Sequence, residues 1–169
     1  MAGSESAVEV ALDAGPIIHL DEIDALDLLA DFTALTPEAV WAEVGRHRPR
    51  ALDHSTLASS RCPAPHDERV AALASVFGLG AGEREALALA RLRGCMVFTD
   101  DAAARLAAES LGLRVHGTLG VLIRATRAGR RTPVQVLAHL QELPRRSTLH
   151  LRASLLAQVI EQVRAAYGL

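Results

Sequence analysis

Two short apolar segments of the chain each run into aspartate and then into a predicted helix. The segment VEVAL at 8–12 is followed by Asp13, and CMVF at 95–98 is followed after one residue by Asp100 and Asp101. Apolar runs of this length are typical of strands buried on both faces, as in a parallel sheet. In open parallel sheets, ligand sites form outside the carboxyl ends of the strands. The two junctions therefore predict an α/β fold with acidic residues at one edge of its sheet.

The rest of the chain continues this alternation of strands and helices. Further strands are predicted at 32–35 and 113–116, and 46–65 is predicted to be a loop with a short strand near Cys62. Helices are predicted at 15–20, 24–30, 37–45, 67–77, 83–93, 101–111, 119–128, 133–143 and 153–167. This order predicts an α/β domain whose parallel sheet is covered by helices on both faces. A chain of 169 residues with 50% hydrophobic content suits one such domain over 1–169.

Composition excludes several classes of protein. No apolar run approaches the roughly 20 residues that span a bilayer, so no membrane is expected as a partner. The N-terminus lacks the basic and apolar regions of a secretory signal. Two cysteines, Cys62 and Cys95, cannot form a disulfide framework. We therefore expect a cytoplasmic protein.

Charge is distributed unevenly along the chain. Residues 1–43 contain ten acids and no basic residue, whereas 44–169 contain the other ten acids and eighteen basic residues, every one an arginine. Arginine binds phosphate through paired hydrogen bonds and stacks on bases, which favours a nucleic-acid partner. A general compositional bias toward arginine explains the same pattern, and the sequence leaves this choice open.

Two glutamates on predicted helices stand where apolar residues are expected. Glu43 follows Val40 by three positions, and Glu85 precedes Leu89 by four, so each shares a helix face with an apolar neighbour. Glu83 is explained by the favourable interaction of an early acid with the helix dipole. For Glu43 and Glu85 a solvent-facing position stays open as the structural alternative.

The aspartates have structural alternatives as well. Asp13 lies at a strand end, where it is placed either to bind a ligand or to cap the following helix. Of the pair Asp100-Asp101, one residue can cap a helix and Arg105 can pair with Asp101, but the second aspartate is left without a structural role. Thr99 adds a hydroxyl that can orient water or an acidic neighbour. The pair therefore favours a functional site.

Taken together, the acids predict a metal site at the sheet edge. Carboxylates brought close together repel each other and lose hydration, so they persist mainly around a cation. A ligand set of carboxylates without His or Cys suits Mg²⁺ or Mn²⁺. Such a site fits metal-assisted hydrolysis of phosphodiester bonds. The seven histidines show no metal-ligand spacing, and neither a G-x-S-x-G elbow nor a phosphate-binding G-x-x-x-x-G-K-[ST] loop is present.

Four segments contain the acidic residues described above: LDAGPIIHL, TPEAVWAEV, GEREALALA and FTDDAAARLAAESLGLRVHGTLGVL. Taken in this order, they resemble the PIN-domain family, and most closely its branch related to the toxins of bacterial toxin–antitoxin pairs. The match covers about 8–143, and the C-terminal helices over 133–167 are less diagnostic. One departure is Gly15, where related sequences often carry Ser.

The resemblance implies a three-layer α/β/α fold with a mainly parallel central sheet and a Mg²⁺- or Mn²⁺-dependent ribonuclease activity. It implies that Asp13, Glu43, Glu85 and Asp100 or Asp101 are the metal-binding acids. RNA would be the substrate. Many members are toxins inhibited by a small antitoxin protein and many form homodimers, so both are candidate partners.

Three functions remain as hypotheses. The first is a metal-dependent endoribonuclease, with a toxin as its more specific form. The second is a catalytically weak PIN-like module that binds RNA or a protein. The third, a phosphohydrolase of small metabolites, is disfavoured because Asp13 is followed by Ala14 and Gly15 and not by the Asp-x-Asp pattern of such enzymes.

Overall fold

A five-stranded, all-parallel sheet forms the centre of the fold, and the computed structural model describes residues 8–169. The strands are β1 (Val8–Leu12), β2 (Phe32–Pro37), β3 (Arg61–Cys62), β4 (Met96–Phe98) and β5 (Val115–His116). Their order across the sheet is β3-β2-β1-β4-β5, so β1 is the central strand. Leu12 of β1 is level with Phe98 of β4, which aligns the two strand ends that carry aspartates. The predicted parallel α/β class is confirmed.

Nine α-helices surround the sheet in the described part of the chain. They are α1 (Ala14–Glu22), α2 (Glu38–His47), α3 (Ser55–Ala58), α4 (Glu68–Phe77), α5 (Ala81–Arg93), α6 (Ala102–Ser110), α7 (Thr118–Arg127), α8 (Pro133–Arg146) and α9 (Ala153–Tyr167). Two 3-10 helices, Leu26–Asp31 and Pro49–Asp53, join them. Over residues 8–169 no helix combines the length and the apolar character needed to cross a membrane.

Alternate residues of the central strands build two separate cores. Val10 and Leu12 of β1 pack on one face of the sheet, with apolar residues of α1, α7, α8 and α9. Ala11 and Val97 point to the other face and pack against α4, α5 and α6. Because side chains alternate between the two faces of a strand, both faces of the sheet are buried. The arrangement is the expected three-layer α/β/α sandwich.

The main difference from the predicted elements lies in 46–65, which is more ordered than a loop. Helix α2 continues past Gly45 to His47, and the 3-10 helix, α3 and β3 follow. The predicted strand near Cys62 is present as β3. It is held on β2 by the Thr36 N–H, which donates to the Ser60 carbonyl at 2.9 Å, and by a 2.6 Å bond between their hydroxyls. Strand β3 has only two residues, which is too short to show the alternating pattern that predicts a strand and its partner.

Ion pairs neutralise much of the acidic N-terminal quarter of the chain. Six arginines from later in the sequence pair with six of its acids: Arg93–Glu9, Arg48–Asp21, Arg146–Asp24, Arg131–Asp27, Arg130–Asp31 and Arg61–Glu38. Exposed pairs of this kind each contribute about 0–1 kcal/mol to stability. Part of the arginine excess is therefore structural.

Candidate active site

The carboxyl ends of β1, β4 and β5 are hydrogen-bonded in register just beyond the last strand residues. The N–H of Asp13 donates to the carbonyl of Phe98 at 2.9 Å, and the N–H of Thr99 donates to the carbonyl of His116 at 2.8 Å. The backbone therefore holds Asp13, Thr99 and Asp100 side by side at one edge of the sheet. This is the edge where parallel sheets form ligand sites.

Asp13 is buried, and its carboxylate accepts hydrogen bonds from two donors. Only 5% of the residue is exposed. Its Oδ1 accepts from the N–H of Ala14 at 2.8 Å, which caps α1, and its Oδ2 accepts from the Thr99 hydroxyl at 2.7 Å. Burial raises the pKa of Asp13 to about 7; the Thr99 bond opposes this shift, and the nearby negative charges of Glu83 and Glu43 add to it. Asp13 therefore caps a helix and also lines the site.

Asp100 is held in a fixed orientation by α7 and α1. The N–H of Thr118 donates to its Oδ1 at 2.8 Å, and the Thr118 hydroxyl donates to its Oδ2 at 2.6 Å. His19 Nδ1 lies 2.9 Å from the same Oδ2, within hydrogen-bonding distance. A Cβ at position 117 would overlap Asp100 Oδ1, so Gly117 leaves the room that this carboxylate occupies.

Asp101 has a different role from its neighbour. Its side chain is exposed and caps α6 by accepting from the N–H of Ala104 at 2.7 Å. Arg105 does not pair with it and instead donates to the Thr99 carbonyl at 3.3 Å. Asp101 still borders the cleft described below, but Asp100 is the member of the pair that is turned inward.

Glu43 and Glu83 face Asp13 across a gap that a glycine keeps open. A Cβ at position 82 would lie 3.1 Å from Glu43 Oε2 and 3.6 Å from Asp13 Oδ1. Helices α2 and α5 pack against each other at this point. Within residues 8–169 neither glutamate has a hydrogen-bond or ion-pair partner, so both side chains are free to turn toward a ligand.

Glu85 does not join this group, contrary to the expected convergence of the acids. Its Oε2 accepts from the N–H of Ala39 at 2.8 Å, in the first turn of α2. That helix begins after Pro37, which has no side-chain oxygen to cap it, so the carboxylate of α5 satisfies this amide. Glu85 therefore stabilises the first turn of α2 and does not line the cleft that Asp13 borders.

Glu83, two residues earlier on α5, does line this cleft. Helix α5 leads into β4, so its first turn lies at the carboxyl edge of the sheet, beside the aspartates. The sequence could have pointed to Glu83 on this ground. A helix that connects two parallel strands begins at the carboxyl edge of the sheet, so acids in its first turn are candidates for the site. The helix dipole accounts for Glu83 but does not exclude a role in the site.

The acids line a cleft of about 250 Å³ that is closed on one side by the segment between α8 and α9. Thr148, Leu149 and His150 form this wall. Glu22 of α1 holds the segment, because its Oε2 accepts from the Ser147 hydroxyl and from the Thr148 N–H, both at 2.8 Å. These contacts span more than a hundred residues, and no local motif in the sequence pointed to them.

The donor set fits a hard divalent cation. The polar side chains that line the cleft carry carboxylate, hydroxyl or imidazole groups, and carboxylate oxygens are the ligands that Mg²⁺ and Mn²⁺ prefer. Gly82 leaves open space between the carboxylates of Asp13 and Glu43. The carboxylates line the same cleft but are not yet arranged as a complete set of metal ligands. Over residues 8–169 no three acidic, His or Cys side chains surround a common point.

A family model described as a PIN domain matches residues 9–165. Neither a curated protein nor a solved structure matched the chain.

Proposed function

The chain belongs to the PIN-domain family, and from this premise we propose that it is a Mg²⁺- or Mn²⁺-dependent endoribonuclease that hydrolyses phosphodiester bonds in RNA. PIN domains are generally nucleases and typically use divalent metals. The observation that carries the proposal is the convergence of Asp13, Glu43, Glu83 and Asp100 on one cleft at the carboxyl edge of the sheet.

We propose that these four carboxylates hold the metal. When bound, a divalent cation supplies positive charge for the scissile phosphate and makes water acidic enough to attack at neutral pH. Asp13 and Asp100 are already oriented, because each accepts hydrogen bonds at both oxygens. Glu43 of α2 and Glu83 of α5 would complete the set of ligands from the helices that border the cleft. Pre-organisation of this kind lowers the reorganisation needed at the moment of reaction.

The remaining polar groups act through the acids. The Thr99 hydroxyl holds Asp13 and accepts from the Asp101 N–H at 3.2 Å, so it ties the two strand ends together. His19 and Thr118 fix Asp100 in the same way. We propose that these three are positioning residues and that the acids contact the metal.

The test compares two glutamates in the same helix turn. Glu83→Gln removes a charge from the cleft, whereas Glu85→Gln keeps an oxygen that can accept from the Ala39 N–H. We expect Glu83→Gln to lose at least the roughly 10- to 100-fold in activity that even outer-shell partners of metals contribute. Glu85→Gln should cleave RNA like the wild type. EDTA should stop the wild-type reaction, and Mg²⁺ or Mn²⁺ should restore it.

The result is decisive in either direction. Equal activity of the two variants would remove Glu83 from the metal site, and loss in Glu85→Gln alone would return the role to Glu85. Asp13→Asn should be inactive with its fold intact, as judged by circular dichroism. Metal-independent cleavage by the wild type would refute the proposed mechanism.

A second candidate, a PIN-like module that binds RNA or protein with little catalysis, is favoured by one observation. Both oxygens of Asp100 are engaged by Thr118 and His19, and the acids do not close around a common point. The same assay separates the two functions, since the module would bind RNA without any metal-dependent product.

We further propose, from the branch of the family that the motifs resemble, that the protein acts as a toxin with a small antitoxin. Induced expression of the wild type should then arrest bacterial growth, and Asp13→Asn should not. A small protein encoded beside the gene should restore growth. Size-exclusion chromatography of the pair and of the chain alone would report the complex and any homodimer.

A further inference from the structure

The cleft that the acids line, which we call the acid cleft, has no cationic side chain of arginine in its walls. Five acids line it, namely Asp13, Glu43, Glu83, Asp100 and Asp101, whereas no arginine of residues 8–169 does. A phosphodiester brings a further negative charge, and that charge grows when a nucleophile adds to phosphorus. Such charge is stabilised best by a positive group that is already in place. The proposed reaction therefore calls for a fixed cation beside the cleft.

Arg105 of α6 lies in a cavity of about 610 Å³ that adjoins the acid cleft. Asp100, Leu149 and His150 line both spaces, so the cavity and the cleft open into each other. The Arg105 side chain is half-buried in the wall of this cavity. Its charge therefore faces the same volume as the carboxylate of Asp100.

The guanidinium of Arg105 is anchored next to Asp100 but is not paired with it. Its Nη2 donates to the Thr99 carbonyl at 3.3 Å. A Cβ at position 117 would lie 3.3 Å from the same Nη2 and would overlap Asp100 Oδ1, so guanidinium and carboxylate flank one side of Gly117. Arg105 nevertheless forms no ion pair with any acid of residues 8–169. Its positive charge is therefore held beside the acids without being neutralised by one of them.

The hydrogen-bonding capacity of Arg105 is mostly unused. Only Nη2 has a partner, and neither Nη1 nor Nε donates to another group within residues 8–169. A guanidinium carries its N–H donors in a rigid planar fork that matches pairs of phosphate oxygens. The sequence spacing predicted a pair with Asp101, but that residue caps α6 instead. The free part of the fork is therefore available to an anionic ligand.

We propose that Arg105 is a catalytic residue, whose guanidinium binds a non-bridging oxygen of the scissile phosphate and stabilises the charge that develops there. The proposal rests on the proposed function and deepens it by naming a further group that contacts the reacting atoms. In the reaction, water adds to phosphorus and loses a proton to solvent. The bond from phosphorus to the leaving ester oxygen breaks, and that oxygen keeps the electron pair and takes up a proton. Arg105 neither gains nor loses a proton, because a guanidinium stays protonated in proteins.

The first test measures the steady-state cleavage of RNA in Mg²⁺. Arg105→Gln removes the charge and should lower kcat by about 100-fold or more, as removal of one donor to a developing oxyanion does, with a much smaller change in KM. Arg105→Lys keeps the charge without the fork and should be intermediate. Arg152→Gln is the matched control, because Arg152 lines the same cavity but is exposed and its side chain has no partner within residues 8–169. The control should cleave like the wild type.

The second test is chemical rescue, which separates a contact with the substrate from a structural role. Arg105→Ala leaves room for a guanidinium ion where the side chain had its head group. Guanidinium chloride, at concentrations well below those that unfold proteins, should restore part of the lost activity. Urea has the same planar shape without the charge, and sodium chloride matches the ionic strength, so neither should restore it.

The third test follows the response to metal without turnover, by thermal unfolding with and without Mg²⁺. If Arg105 served only to hold the end of β4 through the Thr99 carbonyl, Arg105→Gln would disturb Asp100 and weaken stabilisation by the metal. Because the substitution removes a positive charge beside the acids, we expect the rise in melting temperature in Mg²⁺ to be at least as large as in the wild type.

Several results would overturn the inference and leave the proposed function standing. They are equal activity of Arg105→Gln and the wild type, equal losses in Arg105→Gln and Arg152→Gln, and a smaller response of Arg105→Gln to Mg²⁺. Absence of rescue by guanidinium, or rescue that urea or sodium chloride reproduces, would overturn it as well. A wild type that does not cleave RNA in Mg²⁺ or Mn²⁺ would refute the proposed function, and the role of Arg105 with it.

Discussion

Replacing Asp13 with Asn should stabilise the metal-free protein at the same time as it removes activity. Asp13 is almost fully buried, and burial raises its pKa from an ordinary value of 3.8 to about 7. In the unfolded chain the carboxyl group returns to its ordinary value, so between these two values the native state binds more protons than the unfolded state. Stability is therefore lost as pH rises through this window.

The size of the effect follows from the shift. Just over three pKa units correspond to about 4 kcal/mol of stability lost by the wild type above neutral pH. Asn carries no charge and keeps an oxygen for the Ala14 N–H, but its amide cannot accept from the Thr99 hydroxyl, at a cost of about 1 kcal/mol. The variant should thus gain about 3 kcal/mol at high pH, or roughly 6 to 12 °C in melting temperature.

The assay is thermal unfolding in EDTA, followed by circular dichroism across the pH range. The gain should be largest above about pH 7 and should shrink, and then reverse, toward about pH 4. Asp101→Asn is the control, because Asn caps helices about as well as Asp and the side chain is exposed, so it should change stability little at any pH. A variant no more stable than the wild type at high pH, or a gain that is the same at every pH, would refute the reasoning.

Three further outcomes are expected from the same geometry. Gly82→Ala should raise the Mg²⁺ concentration needed for half-maximal cleavage several-fold without altering the fold, because its Cβ would lie 3.1 Å from Glu43 Oε2; a metal titration of activity measures this. Thr118→Val should lose about 1 to 2 kcal/mol of unfolding free energy in urea and also lose activity, since the hydroxyl that holds Asp100 is removed. Mg²⁺ at a hundred times its dissociation constant should stabilise the wild type by about 2.7 kcal/mol in a thermal shift assay, and Asp13→Asn should abolish that response.

The sequence predicted those parts of the site that depend on strand ends. Asp13 and Asp100 each follow a short apolar run, and the carboxyl ends of parallel strands meet at one edge whatever the details of packing. Both are found at that edge, hydrogen-bonded in register. The fold class followed from the same alternation of strands and helices.

The parts that depend on helix rotation could not be predicted with the same accuracy. Glu83 and Glu85 are two positions apart on α5 and so point to nearly opposite sides of the helix, and the choice between them depends on how the helix is rotated about its axis. The choice is fixed by tertiary contacts, namely the uncapped amide of Ala39 and the gap at Gly82. The wall that includes His150 depends on Glu22, which is a contact that local patterns do not encode.

The hydrogen bonds that shape the cleft have a consequence for the time at which it can form during synthesis. Thr99 is 86 residues beyond Asp13, and Thr148 is 126 residues beyond Glu22. At roughly 5 to 20 residues per second, the ribosome needs several seconds to supply each partner after the first residue of the pair. The central strand β1 can pair with β2 early, but the acids meet only once β4 has left the ribosome. A nascent chain therefore carries no assembled cleft until the residues up to Thr148 have been made and have left the ribosome.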